Sequence, residues 1–93
     1  MIVSFNDKRL ETLRRGRVPK GFPAECIVRV QTLLRLLSSI EELDELRNPP
    51  GNRLEKLRGD RAGQHSIRVN AKWRICFRWT KEGAEDVEFV DYH

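Results

Sequence analysis

Three stretches of this sequence hold side chains that could do chemistry together. They are Leu54-Glu55-Lys56-Leu57-Arg58-Gly59-Asp60-Arg61, Trp73-Arg74-Ile75-Cys76-Phe77 and Asp91-Tyr92-His93. Guanidinium and ammonium groups bind phosphate and carboxylate through charge-assisted hydrogen bonds. A carboxylate, a phenol and an imidazole in a row are all proton-handling groups, and the imidazole titrates near neutral pH. Each stretch also has a plainer reading. Basic residues on an edge strand prevent edge-to-edge aggregation. A Trp-Arg pair can be a core aromatic beside an exposed charge, and a terminal Asp-Tyr-His can be a solvated tail.

Positioning these groups falls to a two-part chain. Ile2, Val3 and Phe5 read as a short strand, and Asn6 or Asp7 can cap a helix that buries Leu10 and Leu13. Pro19 and Gly21 interrupt that pattern. Pro23 suits the start of a second helix. Ile27, Val30, Leu33, Leu34 and Leu37 then recur every three or four residues, giving it one apolar face. Ile40, Leu43 and Leu46 either continue that helix or form a separate turn. Arg47-Asn48-Pro49-Pro50-Gly51-Asn52 is a loop.

Beyond the loop the period falls to two. Basic residues around Leu54 and Leu57, then Ile67 and Val69, then Trp73 to Trp79, then Val87 to Val90 read as four strands of an antiparallel meander. The expected fold is α+β, one domain over residues 1–93, with two helices on one face of a mainly antiparallel sheet. Trp73, Ile75, Phe77 and Trp79 are expected to face the helices. Arg68, Arg74 and Arg78 are expected on the opposite face as a candidate anion site. Aromatic stacking platforms for RNA bases are then missing from that open face, which counts against a plain RNA-binding module.

Composition sets the limits. With 93 residues, 39% hydrophobic and 34% charged, the chain suits one modest core and is too apolar for a disordered segment. It has no apolar run long enough to span a membrane, and its first residues lack the pattern of a secretory signal. Cys26 and Cys76 lack metal-site spacing, and only His65 and His93 could join them, so neither a metal nor a cofactor is expected. Two reduced thiols suit a cytoplasmic protein. Cys76 reads as a quiet small residue, and His65 as a structural histidine at the sheet edge. The net charge of +4 is uneven: residues 53–80 carry +6 and residues 81–93 carry −4. Such a basic block fits a polyanion-binding surface and a merely soluble one equally well.

Taken in order, Gly59-Asp60-Arg61, Ser66-Ile67-Arg68, Trp73-Arg74-Ile75 and Asp91-Tyr92-His93 resemble the HigB branch of the RelE toxin superfamily, over essentially the whole chain. The resemblance implies a ribosome-dependent endoribonuclease. Such a toxin cuts messenger RNA in the ribosomal A site without a metal: a ribose 2′-hydroxyl attacks the adjacent phosphate. That reaction needs a base, cations for the charge building on phosphate, and an acid for the leaving oxygen. Residue by residue, the resemblance assigns Arg74 to the transition-state charge and Lys56 and Arg58 to the phosphate. Asp91, Tyr92 and His93 become the terminal catalytic group, with His93 carrying the proton, Tyr92 orienting sugar or base, and Asp91 holding His93. Arg61, Arg68 and Arg78 complete the expected RNA-binding set. Glu55 departs from the pattern, because some HigB-type toxins place a catalytic histidine there. It is either a base or a solvated strand residue.

The implied partners are a HigA-type helix-turn-helix antitoxin, the ribosome with its RNA, and messenger RNA, with promoter DNA reached only through the antitoxin complex. The competing expectation is a ParE-like inhibitor of DNA gyrase, from which the terminal Tyr-His distinguishes this chain.

Overall fold

Asp7 starts the first helix. Its extended backbone and its side chain, which accepts a hydrogen bond from the Arg9 amide, cap α1, Lys8–Arg14. Leu10 and Leu13 are its buried residues. A 3-10 turn, Ala24–Cys26, leads into α2, Ile27–Ser39, which buries Val30, Leu33, Leu34 and Leu37. Leu43–Arg47 forms a separate 3-10 turn and buries Leu46 against the core. The computed structural model describes Met1 to Asp91.

Four strands follow: β1 Glu55–Lys56, β2 His65–Arg68, β3 Arg74–Thr80 and β4 Gly83–Val90. They form one antiparallel sheet in the order β1-β2-β3-β4. The meander read from the period-two pattern is therefore present, and the fold is α+β. The two helices pack on each other, and both touch β4. One row of the sheet, Ile67, Ile75 and Phe89, is buried with the helical leucines. Phe89 stacks on Phe22 at 4.8 Å between ring centroids and on Trp73 at 4.3 Å. Ile75 and Phe77 are fully buried, whereas Trp73 and Trp79 pack against the core with part of each ring in solvent.

Three expectations need correction. The N-terminal segment is not a full strand: it makes two isolated parallel bridges to β4, Ile2 with Ala84 and Phe5 with Val87. Gly83 explains the close approach, since a Cβ there would collide with the Met1 carbonyl. His65 does not lie at the sheet edge, because β1 pairs outside it, Lys56 opposite His65. Finally, a β-bulge between Cys76 and Arg78 shifts the register, so Arg78 pairs with Glu85 and leaves the regular alternation.

Candidate anion-binding site

The register places Glu55 opposite Ser66, Ser66 opposite Cys76, and Cys76 opposite Glu88. The next row on the same face is Arg68, Arg74 and Val90. Side chains two apart along a strand share a face, so Glu55, Ser66, Arg68 and Arg74 converge at one end of the sheet. A groove of about 340 Å³ opens there, lined by Arg53, Glu55, Arg68, Lys72 and Arg74 with Asn70 and Ala71.

Arg74 is held in place by neutral acceptors. Its Nε donates to Ser66 Oγ at 2.8 Å and its Nη2 to the Arg53 carbonyl at 2.6 Å. Its side chain is only 13% exposed. The one carboxylate that faces it among the described residues is Glu55, at 3.6 Å and half exposed. Arg53 can offer its carbonyl because its backbone is left-handed, φ 44°. Asn52, the buried residue just before Arg53, is anchored by donating to the Leu46 and Asn48 carbonyls. Arg29 of α2 donates to the Asn52 side chain at 3.2 Å and to the Arg68 carbonyl at 3.0 Å, tying the helix to both walls.

The hairpin before β3 positions Lys72. Asn70 Oδ1 accepts from the Lys72 and Trp73 amides at 2.9 and 2.8 Å, an Asx turn that fixes the bend. Lys72 Nζ lies 3.8 Å from Asp91 and 5.6 Å from the centre of the Trp73 ring. Asp91 therefore stands at the rim of the groove.

The expected site residues divide. Arg68 and Arg74 meet in the groove, with Asp91 beside it. Lys56 leaves β1 on the opposite side, next to His65. Arg58 is exposed at the start of the Gly59–Arg61 turn. Arg61 is engaged within the protein, 2.5 Å from Glu88 and 3.1 Å from Gln64. Arg78 stands 3.9 Å from Asp86. Tyr92 and His93 lie outside the described residues.

Arg53 and Lys72 were missed, because each sits in a loop where sequence periodicity assigns no face. The only signal was their membership of the +6 block.

Two neighbouring groups are quiet. Burial pushes the Cys76 thiol up to about 11, with Arg61 and Arg74 pulling it down and Glu88 pushing it up. Burial, with the Lys56 and Arg47 charges, lowers the His65 pKa. His65 stacks on Phe77, and its Nδ1 has no hydrogen-bond partner among the described residues. Those same residues hold no cluster of three or more metal-ligating side chains.

Comparison with known proteins adds to the geometry. Residues 3–93 match the family described as RelE-like toxin of type II toxin–antitoxin system HigB. Endoribonuclease HigB of Proteus vulgaris is 38% identical over 93 residues, spanning 100% of both chains. Toxin HigB-1 of Vibrio cholerae is 34% identical over 97 residues, covering 100% of this chain and 98% of that protein. Two solved structures share the fold. The YoeB–YefM complex from Staphylococcus aureus gives a TM-score of 0.58 at 18% identity, covering 100% of this chain and 95% of that one. The YoeB/ParE toxin from Agrobacterium tumefaciens gives 0.57 at 20% identity, covering 99% and 98%. With a match across all but its first two residues and full-length relatives above 30% identity, the chain belongs to the HigB family of RelE-like toxins of type II toxin–antitoxin systems.

Proposed function

We propose that this toxin is an endoribonuclease that cuts messenger RNA in the ribosomal A site. The observation that carries the proposal is the fixed guanidinium of Arg74 in a groove lined by Arg53, Arg68 and Lys72. A guanidinium locked by neutral acceptors keeps its full charge for an anion and needs no reorganisation when charge builds on phosphate. The full-length likeness to a protein named an endoribonuclease supports the same reading.

In this scheme the scissile phosphate enters the groove. Arg74, with Arg68 and Lys72, stabilises the negative charge that grows as the 2′-hydroxyl attacks. The products are a cyclic phosphate and a free 5′-hydroxyl. The proton leaves the 2′-hydroxyl to a base and reaches the leaving oxygen from an acid. We assign this traffic to the terminal Asp91-Tyr92-His93, with His93 as the proton carrier. Arg58, together with Lys56 and Arg78 on other parts of the surface, would meet ribosomal RNA and not the scissile bond.

Membership of a toxin–antitoxin family gives the protein an antitoxin as partner. We propose that the antitoxin is of the HigA helix-turn-helix type and that promoter DNA is reached through that complex. The gyrase-inhibitor reading is not favoured, since the full-length relatives are HigB proteins and the likeness to a YoeB/ParE toxin rests on fold alone.

Primer extension on cellular messengers after induction tests the proposal. Cuts within translated regions, absent from the Arg74→Ala and His93→Ala variants, are the expected result. Unbroken messengers during growth arrest, or naked RNA cut as fast as RNA on ribosomes, would overturn it.

A further inference from the structure

Among the described residues, Glu55 is the one acidic side chain that lines the groove itself, Asp91 standing at its rim. Its carboxylate is 3.6 Å from Arg74 Nη2, beyond the 2.7–2.9 Å usual for a charge-assisted hydrogen bond. The two short bonds of Arg74 go instead to uncharged oxygens of Ser66 and Arg53. The contact with Glu55 is therefore coulombic and loose. The two partners also differ in freedom, 13% exposed for Arg74 against 50% for Glu55. Glu55 sits on the two-residue edge strand β1, where its side chain can swing into solvent without disturbing the core.

We propose that Glu55 is an internal stand-in for phosphate: it occupies the anion position beside Arg74 in the free protein and must be displaced when RNA enters. This rests on the RNA-cutting reading and adds a specificity device to it. A phosphate arriving on free RNA meets both the competition for Arg74 and the repulsion of Glu55. A phosphate presented by a docked ribosome arrives at high effective concentration and overcomes both. Glu55 thus lowers binding to naked RNA while leaving Arg74 charged and fixed for the RNA that the ribosome presents.

The test is the affinity of the free, full-length protein for a short single-stranded RNA carrying 2′-O-methyl groups, which bind but cannot be cleaved. Glu55→Gln should bind about fivefold more tightly at fixed low salt, the scale of one exposed ion pair. Glu41→Gln is the control, since it makes the same charge change in a separate groove beside Trp79 and Lys81. The expected result is a clear gain for Glu55→Gln and little for Glu41→Gln. Equal gains from both variants overturn the proposal, because net charge alone then explains them; so does no gain from Glu55→Gln. Glu55 is half exposed, so circular dichroism should find the variant folded. The binding arm involves no cleavage and still decides the matter if primer extension shows no cuts, so failure of the functional reading and failure of this proposal are separable.

Discussion

Arg68 and Arg74 stand directly opposite each other across β2 and β3. Like charges in that position destabilise a sheet. The pair persists because Arg74 is tied to Ser66 and Arg53 and because Glu55 supplies a counter-charge. The face is therefore shaped for an anion at some cost to the fold. Arg68→Thr should stabilise the free protein by about 0.5 kcal/mol while lowering cleavage. Thermal unfolding and ribosome-bound cleavage assays check this, and a variant that is less stable than wild type contradicts it. The backbone bond from Arg29 to the Arg68 carbonyl is untouched by the change.

Arg74 demands a fork of donors. A lysine is a point charge on a flexible stem and cannot meet the Ser66 hydroxyl and the Arg53 carbonyl in the same planar geometry. Arg74→Lys should therefore recover little of the activity lost in Arg74→Ala, a loss of roughly 10²–10³ if this group stabilises the transition state. Ser66→Ala keeps the charge but frees the guanidinium, so a smaller loss is expected, with a stability change of about 1 kcal/mol. Single-turnover cleavage of messenger on purified ribosomes ranks the three variants. Equal activity for lysine and arginine would show that orientation is unimportant.

Asn52 is fully buried and serves both the loop and the site. It donates to the Leu46 and Asn48 carbonyls and accepts from Arg29. Asn52→Ala removes the side-chain donor from the buried Leu46 carbonyl, at a cost of about 1–3 kcal/mol. It also loosens Arg53, whose left-handed backbone presents the carbonyl to Arg74. Lower stability in urea titration should be accompanied by lower cleavage at temperatures where the variant is still folded. A stability loss with full activity would detach Asn52 from the site.

How far the sequence reaches follows from these residues. Leu10 and Leu13 behind an Asp7 cap, and the inward side chains of Ile75 and Phe77, were readable because local periodicity reports burial there, whereas buried Cys76 and the bulge after it were not. Arg68 and Arg74 were readable as neighbours on one face for the same reason. Lys56 was not. On a two-residue strand, register depends on β1 pairing with β2, and that puts Glu55, not Lys56, beside Arg74. Arg61, expected in the RNA-binding set, also pairs with Glu88, 27 residues further along the chain on β4, a contact that local sequence does not display. Arg53 depends on a left-handed backbone that no residue type announces. Long-range pairing and backbone conformation, not composition, separate the groove from the rest of the basic surface.

Asp7 joins the N-terminal segment to the last strand. Burial works to raise its pKa, but hydrogen bonds from the Arg9 side chain and the Phe89 amide, with the Arg9 charge, outweigh it and hold the carboxyl below its ordinary value of 3.8. A group whose pKa is lower in the folded state contributes stability above its unfolded value and loses it as pH falls through the folded one. Wild type should therefore lose stability below about pH 4 more steeply than Asp7→Asn. Near neutral pH, Asp7→Ala should cost about 1 kcal/mol through loss of the cap alone. Thermal unfolding across pH 2–7 tests both statements, and parallel curves for wild type and Asp7→Asn would contradict the linkage.

Cys76 lies on the same face as Arg74 yet is fully buried, next to the ion pair of Arg61 and Glu88. With its pKa pushed up to about 11, almost none of it is thiolate at pH 8, and the thiolate is the reactive form. Cys26 is also buried, and burial together with the Glu25 charge raises its pKa against a hydrogen bond from Asn70. Neither thiol should react with a disulfide reagent in the native protein, and both should react on unfolding. The charges around Cys76 give a sharper expectation. Glu88→Gln removes the carboxylate that pushes the thiol up, whereas Arg61→Gln removes a cation that pulls it down. Both changes break the ion pair. Glu88→Gln should therefore label faster than Arg61→Gln at the same pH. The reverse order would mean that access, not charge, governs this thiol.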